Sequence, residues 1–172
     1  MSAIRLVIGF MLLVAGSELH WFFVGAVVFL LAGMFTMQTN LPLGALETWR
    51  TTISLTALAV LLALPFKRWT SAAACFLAGG FLGLVFPGFV GLPGNFFTWN
   101  VFLIGGVFGL ALFLFSAILA LLTLSNLIGA LLIVLGMPTG PFHPLLLFGI
   151  FFFTGMSIQY LLLQWGEPTL NR

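Results

Sequence analysis

The chain has 172 residues, of which 62% are hydrophobic and only 5% charged, with a formal net charge of +2. So few polar side chains cannot clothe a soluble surface, so a water-soluble fold is excluded and the bilayer must act as the solvent. A net charge this small, drawn from so few groups, points to no nucleic-acid partner.

The charged residues are Arg5, Glu18, Glu47, Arg50, Lys67, Arg68, Glu167 and Arg172, and all of them sit at the edges of apolar runs. None falls between Trp69 and Gly166. A charge inside hydrocarbon costs roughly 2.5–3.5 kcal/mol on insertion scales, so pumps and membrane enzymes keep only those that do chemistry. This chain keeps almost none. An enzyme working by side-chain acid–base chemistry is not expected.

A helix needs ~20 mostly apolar residues to cross ~30 Å of hydrocarbon. That ruler predicts seven spans. The first covers about Ser2 to Ser17 and turns at Glu18-Leu19-His20; the second, Trp21 to Met37, ends at Gln38-Thr39-Asn40-Leu41-Pro42. Arg5 followed by an apolar run also has the look of a signal peptide, with Ala15-Gly16-Ser17 as the small-residue site. The chain runs straight on into Trp21-Phe22-Phe23-Val24, which favours a retained span. The third span runs from about Thr51 to Phe66, with Lys67-Arg68 as a tight charged turn. The fourth continues from Trp69 to about Phe86, where Pro87 is expected to stop it.

The fifth and sixth spans are fused in one uncharged run from Trp99 to Met137. Wholly helical, it would be about 58 Å long, nearly two bilayer cores, so a reversal is expected near Phe115-Ser116-Ala117. Met137 to Pro144 reads as a rigid loop, and the seventh span runs from Leu145 to Trp165, ending at Gly166-Glu167-Pro168. The predicted fold is thus all-α: a polytopic transmembrane helical bundle of about seven spans, forming one domain over residues 1–172. Six spans result if Arg5 to Met37 is one long tilted helix, which would bring Glu18 and His20 toward the bilayer centre as an ionisable pair.

Trp21, Trp49, Trp69, Trp99 and Trp165 all fall at span ends, where amphipathic rings seek the headgroup level. With seven spans, Lys67, Arg68 and Arg172 share one side against Arg5 and Arg50. By the positive-inside tendency the N-terminus then lies outside and the C-terminus in the cytoplasm, in a bacterial inner membrane. Cys75 lies inside an apolar run and packs as a small hydrophobe, with no disulfide framework or metal–thiolate site in the chain.

Phe76-Leu77-Ala78-Gly79-Gly80-Phe81-Leu82-Gly83-Leu84 and Phe102-Leu103-Ile104-Gly105-Gly106-Val107-Phe108-Gly109-Leu110 match at six of nine positions, with a looser copy at Phe23 to Leu31. Either chance in an apolar chain or a structural repeat accounts for the echo. Gly79 and Gly83, Gly105 and Gly109, and Ser125 and Gly129 are each spaced four apart. Each pair opens a flat strip on a helix where another backbone can approach.

Ser125-Asn126 is the strongest polar interruption within a span. The Asn126 amide is expected to bond across helices, as is Gln159 of the seventh span, and the two could face each other. Ser157 can satisfy itself on its own helix carbonyls. His20 and His143 are the only histidines, and either is a candidate axial ligand for a chlorophyll-type pigment or haem. The topology separates them, so they would not share one haem.

These pieces fit a non-enzymatic structural or organising subunit of a larger membrane assembly, whose partners are lipids, other membrane subunits or further copies of itself. A passive channel or carrier for a neutral or lipophilic solute is the alternative, lined by Ser125, Asn126, Ser157 and Gln159. A pigment- or haem-binding subunit is a third.

Ile8-Gly9 through Ala15-Gly16, Trp21 to Ala26, Gly105-Gly106-Val107-Phe108-Gly109, Ser125-Asn126-Leu127-Ile128-Gly129-Ala130, and Gly155 with Gln159 together carry a resemblance. In this order the chain resembles small bacterial membrane proteins of unknown function related to the animal transmembrane protein 198-like domain. The resemblance implies a seven-span bundle with an extracellular N-terminus and brings no catalytic or ligand residues with it. The family pattern has a polar turn between the fifth and sixth spans, where this chain has only Phe115-Ser116-Ala117.

Overall fold

A computed structural model describes residues 2–15, 20–38, 45–90, 98–137 and 143–165. Over these residues the chain is all-helical, with no strand. In order the helices are α1 (Ser2–Ala15), α2 (His20–Gln38), α3 (Ala45–Ala63), α4 (Lys67–Phe89), α5 (Thr98–Phe115), α6 (Ala117–Gly136) and α7 (Pro144–Trp165). By length and composition three of them are apolar enough to cross a membrane: Lys67–Phe89, Ala117–Gly136 and Pro144–Gln164. His20–Met34, Trp49–Ala63 and Trp99–Phe115 are shorter apolar helices. At 14 residues α1 is only about 21 Å long. The expected turn at Glu18-Leu19 and the loop from Pro138 to Phe142 lie outside the described residues.

α3 begins at Ala45, ahead of the expected Thr51, and three further boundaries differ from the sequence expectation, each for a local reason. Proline disfavours helical geometry in the residue before it. Leu64 precedes Pro65, so α3 ends at Ala63 and the turn is Leu64-Pro65-Phe66, with the Phe66 N–H donating to Leu62 O at 3.3 Å. Lys67 and Arg68 are therefore the first turn of α4, not the turn itself. Pro87 does not stop α4 either. It sits in the last turn, where its missing N–H forfeits a single bond, and Val90 N–H closes the helix on Phe86 O at 3.0 Å.

The chain does not reverse at Phe115-Ser116-Ala117 as expected; Ser116 is a one-residue junction between α5 and α6. The Ser116 N–H still donates to Leu112 O at 2.9 Å, and its carbonyl still accepts from Ala120 N–H at 2.9 Å. Its hydroxyl accepts from Leu119 N–H at 3.4 Å, the geometry of a helix N-cap. One capped serine thus separates two helices that helical bonding nearly joins.

The chain divides into two compact units, residues 19–121 and residues 1–18 with 122–172, the boundary falling inside α6. In the first of these, α4 and α5 pack antiparallel through their glycines. A Cβ on Gly79 would strike Gly105 O, and one on Gly105 would strike Gly79 O. Gly80 faces the Phe102 ring as Gly106 faces the Phe76 ring, at 2.5 and 2.7 Å from the position of an added Cβ. Gly83 sits against Val101 O and Gly109 against Cys75 O. Phe76 and Phe102 meet edge to face, with ring centroids 5.9 Å apart.

Every one of these contacts maps onto its mirror partner when residues 75–83 are exchanged with 101–109. The sequence echo is therefore a local two-fold: two copies of one segment packed on each other head to tail. A symmetric coupling is expected from it. Gly80→Ala should be destabilising by about 1–2 kcal/mol through the Phe102 ring and recover with Phe102→Leu, and Gly106→Ala should do the same with Phe76→Leu. Denaturant titration of the four single and double variants in detergent checks this.

Elsewhere in the same unit Gly25 of α2 packs against Val60 of α3, and Phe29 lies 6.2 Å from Trp49 between ring centroids. Outward-facing side chains are apolar: Leu61, Ile104, Phe108, Leu114, Phe115 and, in the other unit, Phe153 are each more than half exposed. A surface of this kind needs lipid or protein against it.

Candidate functional site: a buried amide cluster

The described part of α1 runs to Ala15, and its last turn carries the carbonyls of Leu12 and Leu13. Leu12 and Leu13 in that turn are buried, out of reach of water. Gln159 of α7 supplies the donor. Its Nε2 donates to Leu12 O at 2.9 Å and to Leu13 O at 3.0 Å, and the side chain is 1% exposed. One amide thus ties α7 to two backbone carbonyls of α1 with both of its hydrogens.

Ser125 of α6 completes the arrangement. Its hydroxyl lies 3.2 Å from Leu122 O and 3.5 Å from Gln159 Oε1, both of which accept, and Gln159 Nε2 lies 3.4 Å from Ser125 Oγ. Asn126, fully buried beside it, does not bond across helices as expected. Its Nδ2 donates to Leu122 O of its own helix at 2.8 Å, and Oδ1 has no hydrogen-bond partner. That oxygen abuts Gly155 of α7, where an added Cβ would overlap it. Ser125 and Gln159 meet; Asn126 and Gln159 are not bonded to each other. Ser157 stands apart, exposed and bonded to Phe153 O at 2.9 Å.

Gly129 packs on Gly9 of α1, each presenting its open face to the other's carbonyl, with Leu13 against Gly129 as well. Sequence reasoning gave no role to Gly9, Gly155 or the carbonyls of Leu12 and Leu13.

The histidines lie in separate settings. His20 opens α2, and its Nε2 is 3.4 Å from Ala63 O, the last carbonyl of α3, a contact that requires the Nε2–H tautomer. His143 is exposed, and its carbonyl accepts from Leu146 and Leu147 N–H at 3.0 and 3.3 Å, placing it as N-cap ahead of Pro144 at the first helical position. Cys75 is buried in the α4–α5 contact. Among the described residues no group of three or more His, Cys, Asp or Glu could hold a metal ion.

The cluster is therefore a clamp: its donors are spent on helix carbonyls, and what it can do chemically is hold α1, α6 and α7 in register. No protein-family model, curated protein or solved structure matches this chain.

Proposed function

We propose that this chain is a non-enzymatic, multi-pass membrane protein whose role is structural: a subunit or docking partner in a membrane assembly. The observation that carries the reading is the use made of its buried polar side chains. Gln159, Ser125 and Asn126 direct their donors to helix carbonyls or to one another, while the outward faces carry large apolar residues. A solute path would need those same side chains turned to a wet lumen; each is 1% exposed or less, which favours packing over passage. The role calls for no resident cofactor.

In this proposal all seven helices belong to the membrane domain, the arrangement implied by the resemblance to the transmembrane protein 198-like proteins. The N-terminus lies outside, and three crossings by α1, α2 and α3 bring Lys67 and Arg68 to the cytoplasmic face, as the positive-inside tendency favours. Mild detergent extraction followed by native mass spectrometry tests the role. A homo-oligomer or a complex with another membrane protein is the expected species; a lone monomer at every detergent concentration contradicts it.

A further inference from the structure

One end of the unit formed by residues 19–121 differs from the rest of the protein in its charge. The α3–α4 turn presents Leu64 and Phe66, 62% and 56% exposed, then Lys67 and Arg68, both exposed, then Trp69 at 79%. The contact of His20 with Ala63 O brings the start of α2, with exposed Trp21, to the same end. No acidic residue occurs in the sequence between Glu47 and Glu167, and neither cation has a carboxylate partner among the described residues. Among the described residues the side-chain bonds in the turn are those of Thr70 to Phe66 O and Lys67 O, and neither uses a cationic head.

Lys67 also opens Lys67–Phe89, one of the helices long and apolar enough to span a membrane. Two adjacent, exposed cations at the end of such a helix, flanked by exposed aromatic and aliphatic side chains, have the make-up of an interfacial contact. The cations match phosphate oxygens, with the arginine able to engage two at once. Trp69 and Phe66 match the boundary between headgroup and acyl chain.

We propose that Leu64–Trp69 is a binding surface for the headgroup of anionic phospholipids. It rests on the reading of α4 as a membrane span. A juxtamembrane cation contributes roughly a fivefold preference for an anionic surface, so the pair together contributes on the order of 25-fold.

The full-length protein in neutral detergent, given equal phosphatidylglycerol and phosphatidylcholine, tests this by native mass spectrometry of retained lipid. Wild-type protein is expected to retain phosphatidylglycerol selectively. Lys67→Gln with Arg68→Gln should lose that selectivity by an order of magnitude or more, whereas the charge-keeping Lys67→Arg with Arg68→Lys, and Arg50→Gln in the first turns of α3, should preserve it. Millimolar inorganic phosphate should not displace the lipid. Equal retention of the two lipids, an undiminished preference in the double glutamine variant, or displacement by free phosphate overturns the proposal. Failure of the protein to enter liposomes of either lipid would instead overturn the membrane-span reading beneath it.

Discussion

Gly79→Ala is expected to destabilise the protein by about 3 kcal/mol, the upper end for overpacking a close contact. The added methyl group would meet a backbone carbonyl, Gly105 O, which no rotamer change can move aside. The two helices would have to separate, and the contacts at Gly80, Gly83, Gly106 and Gly109 depend on the same approach. The local two-fold makes Gly105→Ala equivalent, and the double variant should cost less than the sum, because the first methyl already opens the gap. Gly149→Ala is the contrasting case: nothing lies within 4 Å of an added Cβ there, and alanine is the better helix former, so that variant should be neutral or slightly stabilising. Denaturant titration in detergent measures all four. Equal losses at Gly79 and Gly149 would contradict the packing.

Gln159→Leu is expected to cost about 2 kcal/mol by removing the buried amide that bonds the Leu12 and Leu13 carbonyls. The loss should be accompanied by faster amide hydrogen exchange through the C-terminal half of α1, a local signature that general loosening of packing would not give. Gln159→Asn, one methylene too short to reach, should behave like the leucine variant. Gln159→Glu, which as a neutral acid carries one hydrogen in place of two, should fall between. Unchanged exchange in α1 for the leucine variant would contradict the role of Gln159 in holding α1. Ser157→Ala, which removes only an exposed bond to its own helix, should leave stability unchanged within error.

The ends of α2 and α7 were legible in the sequence to within one residue, because an apolar run bounded by tryptophan, proline or a polar cluster defines where a helix can start and stop. The α3–α4 boundary was displaced because charge marks the edge of an apolar run, whereas the bend is dictated by Pro65 acting on Leu64. Pro87 misled in the opposite sense: near a helix end it removes one bond, too little to terminate the helix. Ser116 was visible as a polar residue midway along its run, but a cap and a reversal look alike in a sequence.

The same limit applies to the cluster. Ser125, Asn126 and Gln159 stood out as polar groups in an apolar chain. Their partners did not, because the partners are backbone carbonyls, which every residue carries. Which helix end lies beside Gln159 is decided by packing alone. The two glycine-rich copies were legible as an echo; that each packs on the other, with Gly79 over Gly105, required the tertiary contact.

Alkaline carbonate extraction of membranes from cells expressing the full chain tests most directly whether the bilayer is its solvent. Retention of the protein in the membrane pellet, with release only by detergent, is the expected result. Release into the carbonate supernatant would contradict it.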